Sequence, residues 1–146
     1  MKRFDSKYRP VRPEAEMIGR IVALFRRHGG YRISREVPNM GQSIDIVASY
    51  RDCVVAIEVK RSNWQRALNQ CRAHRSVADF ICIAIGTHSI PARLHQEAER
   101  LSYGIIHCPP KGGECTWITR PKKNRRIWKP QRDLFKRRIV EIENVH

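Results

Sequence analysis

The sequence predicts a single α/β domain, a central mixed sheet flanked by helices with an αβββαβ core. Three observations predict it. Apolar residues recur at helical spacing at Met17, Ile18, Ile21, Leu24 and Phe25. The stretch from Ser43 to Ser62, SIDIVASYRDCVVAIEVKRS, holds two nearly continuous apolar runs around a polar centre, the pattern of a hairpin between buried strands. A second helical stretch is followed by FICIAI at Phe80 to Ile85, apolar throughout as a fully buried strand is. At 146 residues the chain is long enough for one real core.

The elements follow in order. Residues 1–12 read as a basic arm. The first helix opens at Pro13, a favoured first-turn residue, and Gly29 and Gly30 close it. Tyr31 to Val37 alternates as a first strand, Pro38 to Gln42 turns, and the hairpin bends at Tyr50 to Asp52. Ser62 or Asn63 caps a second helix with Trp64, Ala67, Leu68 and Cys71 on one face, running to about Ser76. A strand that follows a helix returns parallel to its predecessor by a right-handed crossover, which places Phe80 to Ile85 beside the hairpin. A third helix spans Pro91 to Ser102, with Leu94, Ala98 and Leu101 inward. Gly104 to Cys108 is a short strand, Pro109 to Gly113 a turn, and Thr116 to Thr119 an edge strand. The α/β domain is thus 13–119, and 120–146 forms a basic C-terminal extension ending in a small helix, Leu134 to Val145, with Ile139 and Ile142 docked.

Charge narrows the partner. Lys and Arg number 29 against 14 Asp and Glu, a formal charge of +15. So small a domain repels itself at that charge unless a polyanion is near, and nucleic acid gains further from counterion release. A membrane partner is not expected, because no long amphipathic basic helix stands out. No stretch approaches the roughly 20 apolar residues of a span. No signal-peptide core follows the basic N-terminus. The five cysteines have irregular spacing and no CxxC. A zinc site from His107, Cys108 and Cys115 lacks paired-ligand spacing, so buried free thiols in a reduced, cytoplasmic protein are expected. Between Arg120 and Arg138 lie ten Lys or Arg and one acid. There Lys122, Lys123, Arg125, Arg126 and Lys129 are candidate phosphate contacts, with Trp128 to stack or wedge. The plainer reading is a solvated tail.

The hairpin carries the chemistry. Asp45 and Glu58 are equidistant from its centre, so a symmetric turn sets them opposite each other, Cα atoms about 4.5–5.5 Å apart. Lys60 shares the face of Glu58. The other face is expected to hold Ile44, Ile46, Val55, Ile57 and Val59. Two facing carboxylates among apolar residues repel and are poorly solvated, and one lysine does not neutralise them. A divalent cation does. Mg²⁺ takes oxygen ligands and is commonly held by one or two carboxylates with water and phosphate, Mn²⁺ substituting for it. The Val59 carbonyl is a candidate further ligand. Glu14 falls within the apolar stripe of the first helix and is a candidate third acid, unless it serves the helix dipole. Glu16 falls on the solvated side, and Glu36 reads as an ordinary edge-strand charge.

Asp45, twelve intervening residues, then Glu58-Val59-Lys60 resembles the signature of the PD-(D/E)XK nucleases, over about Pro13 to Cys108. The order helix, three strands, helix, strand is similar to that family's core. Ser43-Ile44-Asp45 lacks the proline of the motif's first half. Gln70 matches a glutamine often found on the following helix, where it is otherwise a plain polar residue. A distant similarity extends to Holliday-junction resolvases. The resemblance implies a Mg²⁺-dependent deoxyribonuclease, an endonuclease of structure-specific or repair and restriction type. Asp45, Glu58 and Val59 would then be metal ligands, and Lys60 would position and deprotonate the attacking water, with Glu14 and Gln70 in support. DNA, duplex or branched, is the implied partner, with RNA also open. Cutting two strands favours a homodimer. The alternative is a non-catalytic nucleic-acid-binding module on a nuclease-like fold, with Lys60 in a plain salt bridge to Glu58.

Overall fold

A computed structural model describes residues 13–145, with side chains described for residues 14–140. The expected basic arm, 1–12, lies outside the described residues. The elements are α1 (Pro13–Arg27), β1 (Arg32–Asn39), β2 (Gln42–Tyr50), β3 (Cys53–Lys60), α2 (Trp64–Arg72), β4 (Phe80–Ile85), α3 (Ala92–Leu101), β5 (Gly104–His107), β6 (Thr116–Thr119) and α4 (Lys129–Val145). They form an α/β domain around a six-stranded mixed sheet whose spatial order is the chain order, β1 to β6. The hairpin strands and β1 pair antiparallel, β3, β4 and β5 pair parallel, and β6 returns antiparallel at the far edge.

The strands of lowest polarity lie where both faces are covered. β3 and β4 are buried almost end to end and sit mid-sheet. Their alternation divides the core. Val54, Ala56, Ile81 and Ile83 face α2, α3 and α4 through Ala67, Cys71, Leu94, Ala98, Phe135 and Ile139. Val55, Ile57, Val59, Cys82 and Ala84 face α1 through Met17, Ile21, Leu24 and Phe25. The apolar stripe of α1 therefore does what its spacing predicts, and Asn63 caps α2 by accepting from the Arg66 amide at 3.2 Å.

Several details depart from expectation. β1 runs on through Pro38 to Asn39, which an edge strand permits because its outer amides need no partner. The α-helical part of α2 ends at Arg72, and a turn carries the chain to Val77. Cys108 and Cys115 are joined as a disulfide across the Pro109–Glu114 turn, their Cα atoms 4.5 Å apart, while Cys53, Cys71 and Cys82 are free thiols. The spacing of seven conceals that β5 and β6 fold back on each other and bring both sulfurs under α1.

The basic extension is no loose tail. Lys122 donates its amide to Ser102 O, Asn124 to Asp79 O, and Trp128 to Ser76 O. The Asn124 side-chain amide donates to Arg75 O and Ala78 O as well. α4 begins at Lys129 and seats Phe135 and Ile139 in the core. Arg132 reaches Asp79 at 2.8 Å, and Asp79 also accepts from the Val54 amide at 2.7 Å. The expected docking of Ile139 is seen, whereas Ile142 lies outside the described side chains.

Candidate active site

The β2–β3 register pairs Tyr50 with Cys53 and Ile46 with Ile57. One more step sets Asp45 against Glu58, but the ladder has already stopped. The next hydrogen-bonded partner of Val59 would have been Ile44. Instead the Val59 amide donates to Asp45 Oδ2 at 2.8 Å. The cause lies in β1. Glu36 has φ of 50°, in the left-handed region, and is skipped in the β1–β2 ladder at the level of Asp45. On one side of that point Ile46 faces α1, and on the other Val37 and Ile44 both face α2. The two strands change faces together. Ile44 is thus not on the α1 side, where strict alternation puts it. Within a residue, strand N–H and C=O point the same way, so the Val59 carbonyl also lies on the edge that β2 has left.

Glu58 is 1 % exposed, and His74, in the turn after α2, is fully buried. His74 Nε2 lies 2.6 Å from Glu58 Oε1. Asn39, buried at the end of β1, places its Nδ2 3.3 Å from His74 Nδ1 and 3.0 Å from Ala73 O. Glu58 Oε2 and Gln70 Oε1 are buried with no hydrogen-bond partner. Gln70 sits one helical turn before His74, on the same side of α2. Neither His74 nor Asn39 was a sequence candidate.

Burial, then the neighbouring Glu58 charge, pushes Asp45 from its ordinary 3.8 up to about 7. Burial likewise raises Glu58 from 4.5 to about 6, against the Asp45 hydrogen bonds and the Lys60 charge. Each carboxyl acts on the ionisation of the other, so the two titrate as a pair. Burial lowers His74 from 6.5 to about 4, although the Asp45 charge opposes it. Its contact with Glu58 is a short hydrogen bond between two buried groups.

The other candidates fall as follows. Lys60 is half-buried at the end of β3, on the face of Glu58, and its charge acts on both carboxyls. Glu14 is half-buried in the first turn of α1, a helix on the opposite face of the sheet. Met17, one turn further on, lies against Gly86 at the end of β4 and marks the end of the sheet where Lys60 also lies. Glu16 is exposed and pairs with Arg20 at 3.5 Å. Glu36 is exposed and forms the irregularity opposite Asp45. Lys122, Lys123, Arg125 and Arg126 line a groove of about 450 Å³ together with Arg75 and Arg100. Trp128 is 62 % exposed, and it and Lys129 stand outside that groove. The groove lies by the starts of β4 and β5, whereas Glu58 and Lys60 lie near the end of β3. The turn after α2 connects them: His74 points into the carboxylates, and Arg75 lines the groove.

The donor set suits a hard cation. Asp45 and Glu58 each have one oxygen held by a protein N–H, and Glu58 Oε2 is buried without a partner. Among the described residues no cluster of three or more His, Cys, Asp or Glu side chains is arranged around a common metal position. A cation here would complete its shell with water, the Val59 carbonyl or substrate oxygens.

No family model and no curated protein matches the chain. Solved structures do. A protein of unknown function from Silicibacter pomeroyi, SPO1766, superposes with a TM-score of 0.68 at 15 % identity, over 93 % of this chain and 89 % of its own. A repair endonuclease from Pyrococcus abyssi superposes with a TM-score of 0.50 at 18 % identity, over 70 % of this chain. A repair endonuclease has this fold. The chain spans about half of that enzyme, 49 % of its length. A structure titled as an EndoMS-dsDNA2 complex matches at a TM-score of 0.45 and 10 % identity, too slight a likeness to argue from. Among the described residues no helix is long and apolar enough to cross a membrane.

Proposed function

We propose that the chain is a metal-dependent deoxyribonuclease of the PD-(D/E)XK type, an endonuclease acting on duplex or branched DNA. The observation that carries this reading is the pair Asp45, half-buried, and Glu58, buried with its Oε2 unpartnered, beside Lys60. The fold shared with a repair endonuclease supports it. Asp45, Glu58 and the Val59 carbonyl would hold Mg²⁺, with Mn²⁺ as substitute. Bound there, the ion supplies a Lewis acid that offsets phosphate charge and makes water acidic at neutral pH.

The chain's own residues do the rest. Lys60 positions the attacking water, takes part in its deprotonation and offsets charge growing on the phosphate. The amide of Gln70, its oxygen buried without a partner, orients that water or a phosphate oxygen. Glu14 adds acidity at the rim from the α1 side. Lys122, Lys123, Arg125 and Arg126 hold the backbone through the groove, with Trp128 and Lys129 outside it for flanking nucleotides. Incision of both strands employs two copies of the chain.

The test is a panel of plasmid, linear duplex, four-way junction and RNA, each with Mg²⁺ and with chelator. Cleavage of DNA with Mg²⁺ is expected, and Lys60→Ala should lower it about 10²–10⁴-fold with binding intact. Binding without cleavage of any substrate would leave the binding-module reading. Cleavage undiminished in Lys60→Ala would place the chemistry elsewhere.

A further inference from the structure

His74 and Asn39 take no part in the chemistry just described, yet they are more deeply buried than Asp45. Their hydrogen bonds admit one arrangement of protons. The Asn39 side-chain nitrogen has two hydrogens and two neighbours, Ala73 O at 3.0 Å and His74 Nδ1 at 3.3 Å. Ala73 O is an acceptor only, so the Asn39 amide cannot be flipped without setting oxygen against oxygen. His74 Nδ1 therefore accepts. A neutral ring whose Nδ1 accepts carries its hydrogen on Nε2, and that hydrogen points at Glu58 Oε1, 2.6 Å away.

We infer that His74 is a positioning residue for Glu58, its tautomer set by Asn39, and that this relay holds Oε1 so that Oε2 faces the cation. The inference rests on the metal-dependent reading of the same site. An imidazole suits the task better than a lysine or arginine. It directs one carboxylate oxygen without adding a positive charge, so the carboxylate keeps its attraction for a divalent ion. The arrangement matches the Val59 amide on Asp45 Oδ2: each acid is fixed by a neutral N–H at one oxygen and open at the other. Outer-shell donors of this kind commonly govern metal affinity by about 10–100-fold.

Two measurements on the full chain test it. Nitrogen-15 NMR of the imidazole at pH 8 should show His74 protonated at Nε2 and bare at Nδ1. The reverse tautomer overturns the relay whatever the protein does. Titration calorimetry with Mn²⁺ alone should show affinity reduced about 10–100-fold in His74→Leu. His74→Gln, whose amide nitrogen stands near the place of Nε2, should recover most of that loss. Thermal melts check that both variants are folded, and Asn39→Leu serves if His74→Leu is not. Unchanged Mn²⁺ affinity in folded His74→Leu or Asn39→Leu overturns the inference while the nuclease reading stands. If the parent takes up no Mn²⁺, and Asp45→Asn and Glu58→Gln bind as it does, both fall together.

Discussion

Asp45 occupies a costly position. It sits where β2 leaves β3, beside a second carboxyl, and its pKa is pushed up to about 7. A raised carboxyl pKa means that the folded state binds its proton more tightly than the unfolded chain. Between about pH 4 and pH 7 Asp45 therefore subtracts stability as pH rises, and the whole cost is present above that window. His74, lowered to about 4, works in the opposite sense from about pH 4 to 6.5. The clean comparison is therefore parent against Asp45→Asn, which keeps an oxygen for the Val59 amide. Without divalent cations the variant should gain on the parent from pH 4 to pH 8 by on the order of 1–2 kcal/mol in denaturant melts. Saturating Mg²⁺ should shrink the gap. A gap that does not change with pH would show that the carboxyl is not buried in its charged form. At this scale the sequence was legible where local symmetry decides: Asp45 and Glu58 stand equidistant from a two-residue turn, and the register follows. It was not legible for His74 and Asn39, because their partnership joins β1 to the turn after α2 and no local pattern marks it.

The elements show where regular pattern stops being a guide. Glu36 lies mid-strand, and strand propensity would recommend a β-branched residue there. Its φ of 50° says otherwise, since a branched side chain in the left-handed region clashes with its own backbone. Glu36→Val should destabilise by about 1–2 kcal/mol, read as a shift in urea midpoint with unchanged slope. A neutral or stabilising result would mean that the strands need not change faces at Asp45. No residue between Arg35 and Val37 announces this irregularity, so alternation placed Ile44 on the wrong side. The α1 stripe was legible because one face of one helix meets one sheet. Helix α4 tells a similar story. Phe135 is 3 % exposed and fills the α2 side of the core, so Phe135→Ala should cost about 3–4 kcal/mol, measured by thermal or chemical unfolding. From the sequence alone Phe135 sat in a run dominated by base, and the apolar cluster it joins is drawn mostly from the sheet, α2 and α3 rather than from its own helix.

At the scale of the molecule the chain carries a formal charge of +15, and six of its basic side chains line one groove. If the groove carries phosphates, binding to a DNA duplex weakens with salt in proportion to the phosphates neutralised, with a slope of about −0.9 for each. The double variant Arg125→Gln, Arg126→Gln should flatten that slope by about 2 units and weaken binding to all sequences alike. An unaltered slope would move the contact to another surface. The count of basic residues was plain from the sequence, but their placement was not. Asn124 decides it by closing three hydrogen bonds to residues 75, 78 and 79, contacts no composition reveals. That clasp has a practical corollary for anyone trimming the gene. A stop codon at Arg120 would do more than shorten a cationic tail: it would strip the carbonyls of Arg75 and Ala78, strand the carboxylate of Asp79, and unroof the hollow filled by Phe135. Loss of DNA affinity in such a truncation would report collapse, so charge must be edited in place.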